Sequence, residues 1–245
     1  EIYTLSLHDA LPIYGRTVII ALAQGKSAGT EQNIWSGWAH SVAMPVEIPL
    51  EDDGRTVLRE PIKEFDELQG ESLFEYHGEG LTAEAMNEQI ANVRGDTLEI
   101  KAKVSYSPTR DDYKGGLHVR YNKNEVNGLT EKTAITRTKD GYYINRLEST
   151  ALTYVDRGDT NTYYTSSMES DLRILMDRSC LEVYVDNKAT FTTRIYPKFG
   201  NSDYLHFFDD GAGLVVKDLS IRSIGSVYYE QTTPSYYGNT GNLGE

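Results

Sequence analysis

The sequence predicts an all-β protein whose larger part is a two-sheet sandwich, and three observations carry that prediction. Apolar and polar residues alternate over many short runs separated by Gly, Asn and Asp turns. Residues 171–197, DLRILMDRSCLEVYVDNKATFTTRIYP, hold three such runs in succession: Leu172, Ile174 and Met176, then Leu181, Val183 and Val185, then Phe191, Thr193 and Ile195. The breaks at Arg178-Ser179 and Asn187-Lys188 make these a three-strand antiparallel meander with one buried face. Finally, the β pattern continues almost unbroken from Ser72 to Ser226, a length sufficient for an independent domain.

Each element follows from its own stretch. GRTVIIALAQ, residues 15–24, is a turn and an apolar run, which predicts a buried strand. IWSGWAHSVAMPVEIPL alternates loosely and stops at the turn Glu51-Asp52-Asp53-Gly54. REPIKEFDELQGE has apolar residues at Ile62, Phe65 and Leu68, the spacing of one or two helical turns in a linker. LTAEAMNEQIAN, residues 81–92, begins with a capping threonine, Thr82, and predicts a short helix. TLEIKAKVSYS, GGLHVRYN, TAITRT, GYYINRL, DYLHFFDD and GAGLVVKDLSIRSI supply further strands. After Ser226 the text is rich in Gly, Asn, Thr and Tyr without period, so residues 227–245 are expected to form a disordered tail.

Residues 1–13, EIYTLSLHDALPI, match the codon-by-codon translation of a common sequencing-adapter oligonucleotide. The segment is read as an assembly artefact and excluded from fold reasoning, so His8 and Asp9 carry no functional weight.

Composition narrows the function classes. The chain has 245 residues, 39% hydrophobic and 25% charged, with a net charge of −13. Lys and Arg form no phosphate-tracking cluster, which argues against a nucleic-acid partner. No apolar run is long enough for a membrane helix. Cys180 is the single cysteine, so no intrachain disulfide forms and the compartment stays open. The eighteen tyrosines suit half-buried strand faces.

The wording DRSCLEVYVDN followed by RIYP resembles the C-terminal β-sandwich of glycoside hydrolase family 32, the β-fructofuranosidases, which include invertases, levanases and inulinases. The likeness extends in order along the chain. GRTVIIALAQ resembles a propeller strand of these enzymes, and GWAHSVAMPVEI resembles the segment that ends the last blade of their five-bladed propeller. REPIKEFDEL is similar to the connector, and GDTLEIKAKV to the first long strand of the sandwich. The resemblance implies a partial last propeller blade at 14–48, a linker at 49–71 and the β-sandwich domain at 72–226. Two positions depart from the family's usual residues: Leu22 stands for a Trp that lines the sugar site, and Val46 for an Arg.

The family's chemistry implies two carboxylates about 5 to 5.5 Å apart, a nucleophile and a general acid/base with separated pKa values, and no cofactor. In these enzymes they lie in an N-D-P-N-G motif and a Glu-Cys pair, and an Arg-Asp-Pro motif binds the fructosyl hydroxyls. None of those strings occurs in this sequence. Hence no catalytic residue is assigned. Asp177 and Glu182 flank the Arg178-Ser179 turn and are read as turn geometry on a solvated face. Glu51, Asp52, Asp53, Asp111, Asp112, Asp209 and Asp210 are read as loop charges. No metal is expected: Asp156, Asp159 and Asn161 lack calcium-loop spacing, and His40, His77, His118 and His206 share no ligand spacing. The candidate substrate-binding residues are Trp38, which aligns with the family's Trp, with Trp35 and His40 beside it near the domain junction.

The leading expectation is therefore a fragment of a β-fructofuranosidase acting on sucrose, levan or inulin, with the present residues serving as scaffold and inactive alone. Its partners would be that substrate, its own propeller domain and, in a homo-oligomer, a second copy, with a lean to an extracellular setting. The alternative is a stand-alone sandwich that binds carbohydrate or mediates oligomerisation, on an exposed aromatic platform from GYYINRL or NTYYTSS.

Overall fold

A computed structural model describes residues 10–13, 15–24, 40–122, 128–152 and 158–226. Strands β1 (Ala10–Ile13), β2 (Arg16–Ile19), β3 (Leu22–Gln24), β4 (His40–Val42), β5 (Val46–Glu47) and β6 (Glu60–Pro61) precede a 3-10 helix at Lys63–Leu68. Then come β7 (Gln69–Thr82), α1 (Ala83–Gln89), β8 (Thr97–Ser105), β9 (Lys114–Asn122), β10 (Thr133–Thr138) and β11 (Gly141–Asn145). The last elements are β12 (Tyr163–Tyr164), β13 (Glu169–Asp177), β14 (Cys180–Val185), β15 (Ala189–Arg194), β16 (Ser202–Asp210) and β17 (Val215–Ile224).

From β7 onward the chain forms the two expected antiparallel sheets. One has six strands in the order β15-β14-β13-β8-β17-β7, the other five in the order β12-β11-β10-β9-β16. Inward residues of both sheets make the core: Ile100, Val104, Ile174 and Val183 from the first meet Leu117, Val119, Ile135 and Phe207 from the second. Burial of each such side chain contributes about 1.5–3 kcal/mol. The close approach of β9 to β10 requires glycine at Gly116, where a Cβ would run into the Ile135 carbonyl.

Helix α1 begins where its cap predicts, with Thr82 Oγ1 accepting the Ala85 N–H at 3.3 Å. Met86 is fully buried and Ile90 nearly so, which docks the helix against the core beside the edge strand β16. The predicted meander is present, β14 pairing antiparallel with both β13 and β15. Its turns use left-handed residues at Arg178, Asp186 and Asn187, where the sequence broke the alternation.

Ahead of the sandwich, β1, β2, β5 and β6 form a four-stranded sheet and β3 pairs with β4. The run GRTVIIALAQ is thus two short strands, β2 and β3, in which Val18 and Ala23 are buried and most others half-buried. Ala10–Ile13, from the segment read as adapter-derived, pairs with β2. Main-chain pairing at an open edge demands no particular side chains, so any extended neighbour can satisfy it. Among the described residues no helix is long and apolar enough to cross a membrane.

Candidate functional site: a docking face on the six-stranded sheet

The one-buried-face expectation for the meander needs correction. Strand β14 is buried on both sides. Leu181, Val183 and Val185 point into the core, while the alternate residues Glu182 and Tyr184 are buried on the outer surface, at 5% and 0% exposure. Glu182 is therefore not on a solvated face, as its neighbours in sequence suggested, because the segment 41–68 lies over it. Asp177, its presumed companion, is exposed at the other side of the turn.

The contact has an apolar centre and a polar rim. Phe65 from the 3-10 helix packs with Leu175 of β13 and Tyr184 of β14, and Met44, Val46, Leu68 and Ile224 close around them. Beside this cluster, Glu182 Oε1 accepts the Met44 N–H at 2.6 Å and Oε2 accepts the Tyr184 hydroxyl at 3.1 Å. Burial raises the Glu182 carboxyl to about 7, with the two hydrogen bonds acting in the opposite direction. The same burial, reinforced by the Glu182 carboxylate, raises the Tyr184 hydroxyl.

At one end of the face, Arg194 donates from Nη1 to Ser41 Oγ at 2.9 Å, from Nη2 to Ser179 Oγ at 2.5 Å and from Nε to the Ser179 carbonyl at 3.2 Å. Ser41 Oγ also meets Cys180 Sγ at 3.2 Å. At the other end, the 186–188 turn holds Glu51, Arg59 and Glu60. Arg59 N–H donates to the Asn187 carbonyl at 2.6 Å, and Asn187 Nδ2 donates to Glu60 Oε1 at 2.9 Å. Arg59 Nη1 reaches the Lys188 carbonyl at 2.7 Å, and Lys188 pairs with Glu51 at 3.2 Å. Between them Arg173 bridges Glu99 at 2.7 Å and Asp66 at 3.0 Å. Thus Cys180, Glu182, Tyr184, Asn187 and Lys188, all from one short string, contact the preceding segment, and Ser179 holds the Arg194 that reaches Ser41.

Of the predicted substrate-side residues, Trp35 and Trp38 lie outside the described residues, as do Asp156 and the tail 227–245. His40 is exposed at the start of β4, opposite Gln24. Leu22 is half-buried opposite Val42, and Val46 joins the apolar cluster. Among the loop carboxylates, Asp209 ties its turn by accepting from Ala212, Gly213 and Leu214 at 2.7, 3.1 and 2.9 Å. No His, Cys, Asp and Glu group among the described residues has a metal-site arrangement.

The expected tyrosine platform is not assembled. Tyr142 is buried and bonded to Tyr106 at 3.0 Å, Tyr143 and Tyr163 are half-buried, and Tyr164 alone is well exposed. An aromatic group sits instead on the outer face of the five-stranded sheet, where the His118 ring stacks on Phe208 at 4.3 Å and on His206 at 5.7 Å. Next to it a cleft of about 950 Å³ opens between α1 and β16, lined by Glu84, Asn87, Glu88, His206 and Phe208 among others. Sequence reasoning missed both the docking face and this stack. Tyr184, an aromatic at a position reserved for polar residues, was the available signal for the first.

Fold and face together define a β-sandwich built to hold the chain that precedes it. The family model described as Glycosyl hydrolases family 32 C terminal matches residues 68–223, and the chain belongs to that family. A levanase of Bacillus subtilis (strain 168) is 28% identical over 215 residues, covering 84% of this chain and 30% of the relative. The insoluble isoenzyme of beta-fructofuranosidase from Arabidopsis thaliana is 25% identical over 218 residues, covering 75% and 38%. Among solved structures, fructan 1-exohydrolase IIa from Cichorium intybus superposes with a TM-score of 0.64 at 18% identity, over 91% of this chain and 50% of that one. Sucrose-6-phosphate hydrolase from Lactobacillus gasseri gives 0.62 at 16%, over 88% and 40%. These structural likenesses show the shared fold. The chain spans about a third of the length of the curated relatives, 30% and 38%.

Proposed function

We propose that this chain is the C-terminal scaffold of a β-fructofuranosidase, and that the intact parent cleaves fructosyl bonds of sucrose, levan or inulin by double displacement. The observation that carries the reading is the docking face. The string that most resembles the family, DRSCLEVYVDN, buries one side in the sandwich core and uses the other to grip residues 41–68. Such two-sided burial suits a strand whose task is to fix a neighbouring domain. Residues 14–48 are assigned to the final part of the last propeller blade and 49–71 to the linker. The nucleophile, the acid/base and the fructosyl-binding arginine belong to motifs that this sequence does not contain, and no cofactor is invoked. Trp38, His40 and Trp35 are assigned to the substrate side of the junction. Incubating the purified chain with sucrose should release no fructose; turnover would overturn the assignment. Reading the DNA upstream of the adapter-like segment should recover the N-D-P-N-G coding stretch.

A second reading, carbohydrate binding by the sandwich itself, draws on the cleft beside α1. Its lining combines acceptors at Glu84 and Glu88 with the rings of His206 and Phe208 and, among the described residues, contains no Lys or Arg, a composition suited to neutral hydroxyl-rich ligands. Affinity electrophoresis on levan and inulin tests it, and unretarded migration counts against it.

A further inference from the structure

We propose that Glu182 is a proton-dependent latch: its neutral carboxyl holds residues 40–47 on the sandwich, and its ionisation loosens that hold. The inference rests on the docking reading above and adds a condition under which docking changes.

Glu182 is buried where charge is poorly tolerated. Its cross-strand neighbours are Leu175 and Thr192, neither of them ionisable. Phe65, Leu175 and Tyr184 form the adjacent apolar wall. The charged and titratable groups on the packed elements bind elsewhere or stand exposed, Lys63 and Glu67 of the 3-10 helix being exposed. On β15, Arg194 is bound to Ser41 and Ser179. On β13, Arg173 is bound to Glu99 of β8 and to Asp66 of the 3-10 helix, and Asp177 is exposed at the strand end. Glu64 of that helix and Glu47 of β5 both pair with Arg16. His40 is exposed on β4, and Cys180 meets Ser41. No cation contacts Glu182 among the described residues.

A neutral carboxyl keeps both partners and carries no charge into the apolar site. Its carbonyl oxygen accepts the Met44 amide and its hydroxyl oxygen bonds Tyr184. An ionised carboxylate keeps those two bonds but leaves a desolvated charge, which water reaches once the 40–47 segment lifts away. The docked carboxyl titrates near 7 instead of its ordinary 4.5. Docking is therefore strongest below the ordinary value, weakens as pH rises through neutrality and levels off beyond it.

The test is amide hydrogen exchange of residues 41–47 in the full chain between pH 5 and 8.5, with rates corrected for intrinsic exchange. Protection in the native protein should fall about a hundredfold across that range, while Glu182→Gln, a neutral isostere, should stay protected throughout. Protection that is high but flat in the native protein, or a fall of the same size in the variant, overturns the latch and leaves docking intact. Absence of protection at every pH overturns docking and the latch together. Should the variant fail to fold, carboxyl ¹³C titration of native Glu182 decides: a midpoint near neutrality supports the latch, and one near the ordinary carboxylate value refutes it.

Discussion

Asn87 grips Phe207 with both ends of its amide: Nδ2 donates to the Phe207 carbonyl at 2.8 Å and Oδ1 accepts the Phe207 N–H at 2.7 Å. A side chain on α1 thereby stands in for the missing neighbour of edge strand β16, and the helix shields backbone groups that would otherwise face solvent or another chain. Asn87→Ala is expected to lower the unfolding free energy by about 2 kcal/mol, measured by urea denaturation. Exchange at the Phe207 amide should accelerate selectively.

A second anchor is Glu131, fully buried among three loops. Its Oε1 accepts the Ala151 and Lys198 N–H groups at 2.6 and 2.9 Å, and Oε2 accepts the Phe199 N–H at 3.0 Å and the Ser202 hydroxyl at 2.7 Å. Four donors converge on two acceptor atoms. Glu131→Gln replaces one acceptor by a donor, so at least one backbone N–H loses its acceptor and meets a donor instead. A loss of about 3 kcal/mol is expected, read as a lower urea midpoint with an unchanged slope.

The stacked histidines predict acid sensitivity. Burial, with Lys132 and His206 adding to it, lowers His118 from its ordinary 6.5 to about 3, and burial also lowers His206. The unfolded chain therefore binds more protons than the native one below pH 6.5, and stability is lost as pH falls through that value. The decline from pH 6.5 to 4 should be on the order of 2 kcal/mol. In His118→Phe, which keeps a stacking ring, the thermal midpoint should depend much less on pH over the same interval.

The two sides of the meander should respond differently to truncation. Ile174→Ala leaves a void between the sheets and costs about 2–5 kcal/mol of global stability. Tyr184→Ala removes the centre of the outer cluster. Its signature is a loss of amide protection across residues 41–68 that exceeds the loss in β8 and β13, measured by exchange mass spectrometry.

The fold was legible because period-two alternation is a local property: each run in residues 97–210 became a strand within a residue or two, and GAGLVVKDLSIRSI became a strand from Val215 onward. The helix at Ala83–Gln89 was legible from its threonine cap. The docking face was not. Alternation marks Glu182 as facing away from Leu181 and Val183, but says nothing of what covers that side, and Met44 is 138 positions away in sequence. Glu131 was invisible for the same reason: its partners come from loops near residues 151 and 198–202. The aromatic stack of His118, His206 and Phe208 depends on which two strands become neighbours, a pairing that spans 90 positions of chain and leaves no periodic trace.

Strand β14 works as a seam, stitched to one body on each side. Unpicking either side leaves a raw edge: an excised sandwich starting at residue 69 would bare Tyr184 and Leu175 as a greasy stripe, with the Glu182 carboxyl newly wet at its margin. Such a piece should clump in solution while the longer chain stays dispersed, and anyone trimming this protein to its tidiest unit would do well to keep the strap that starts near Ser41.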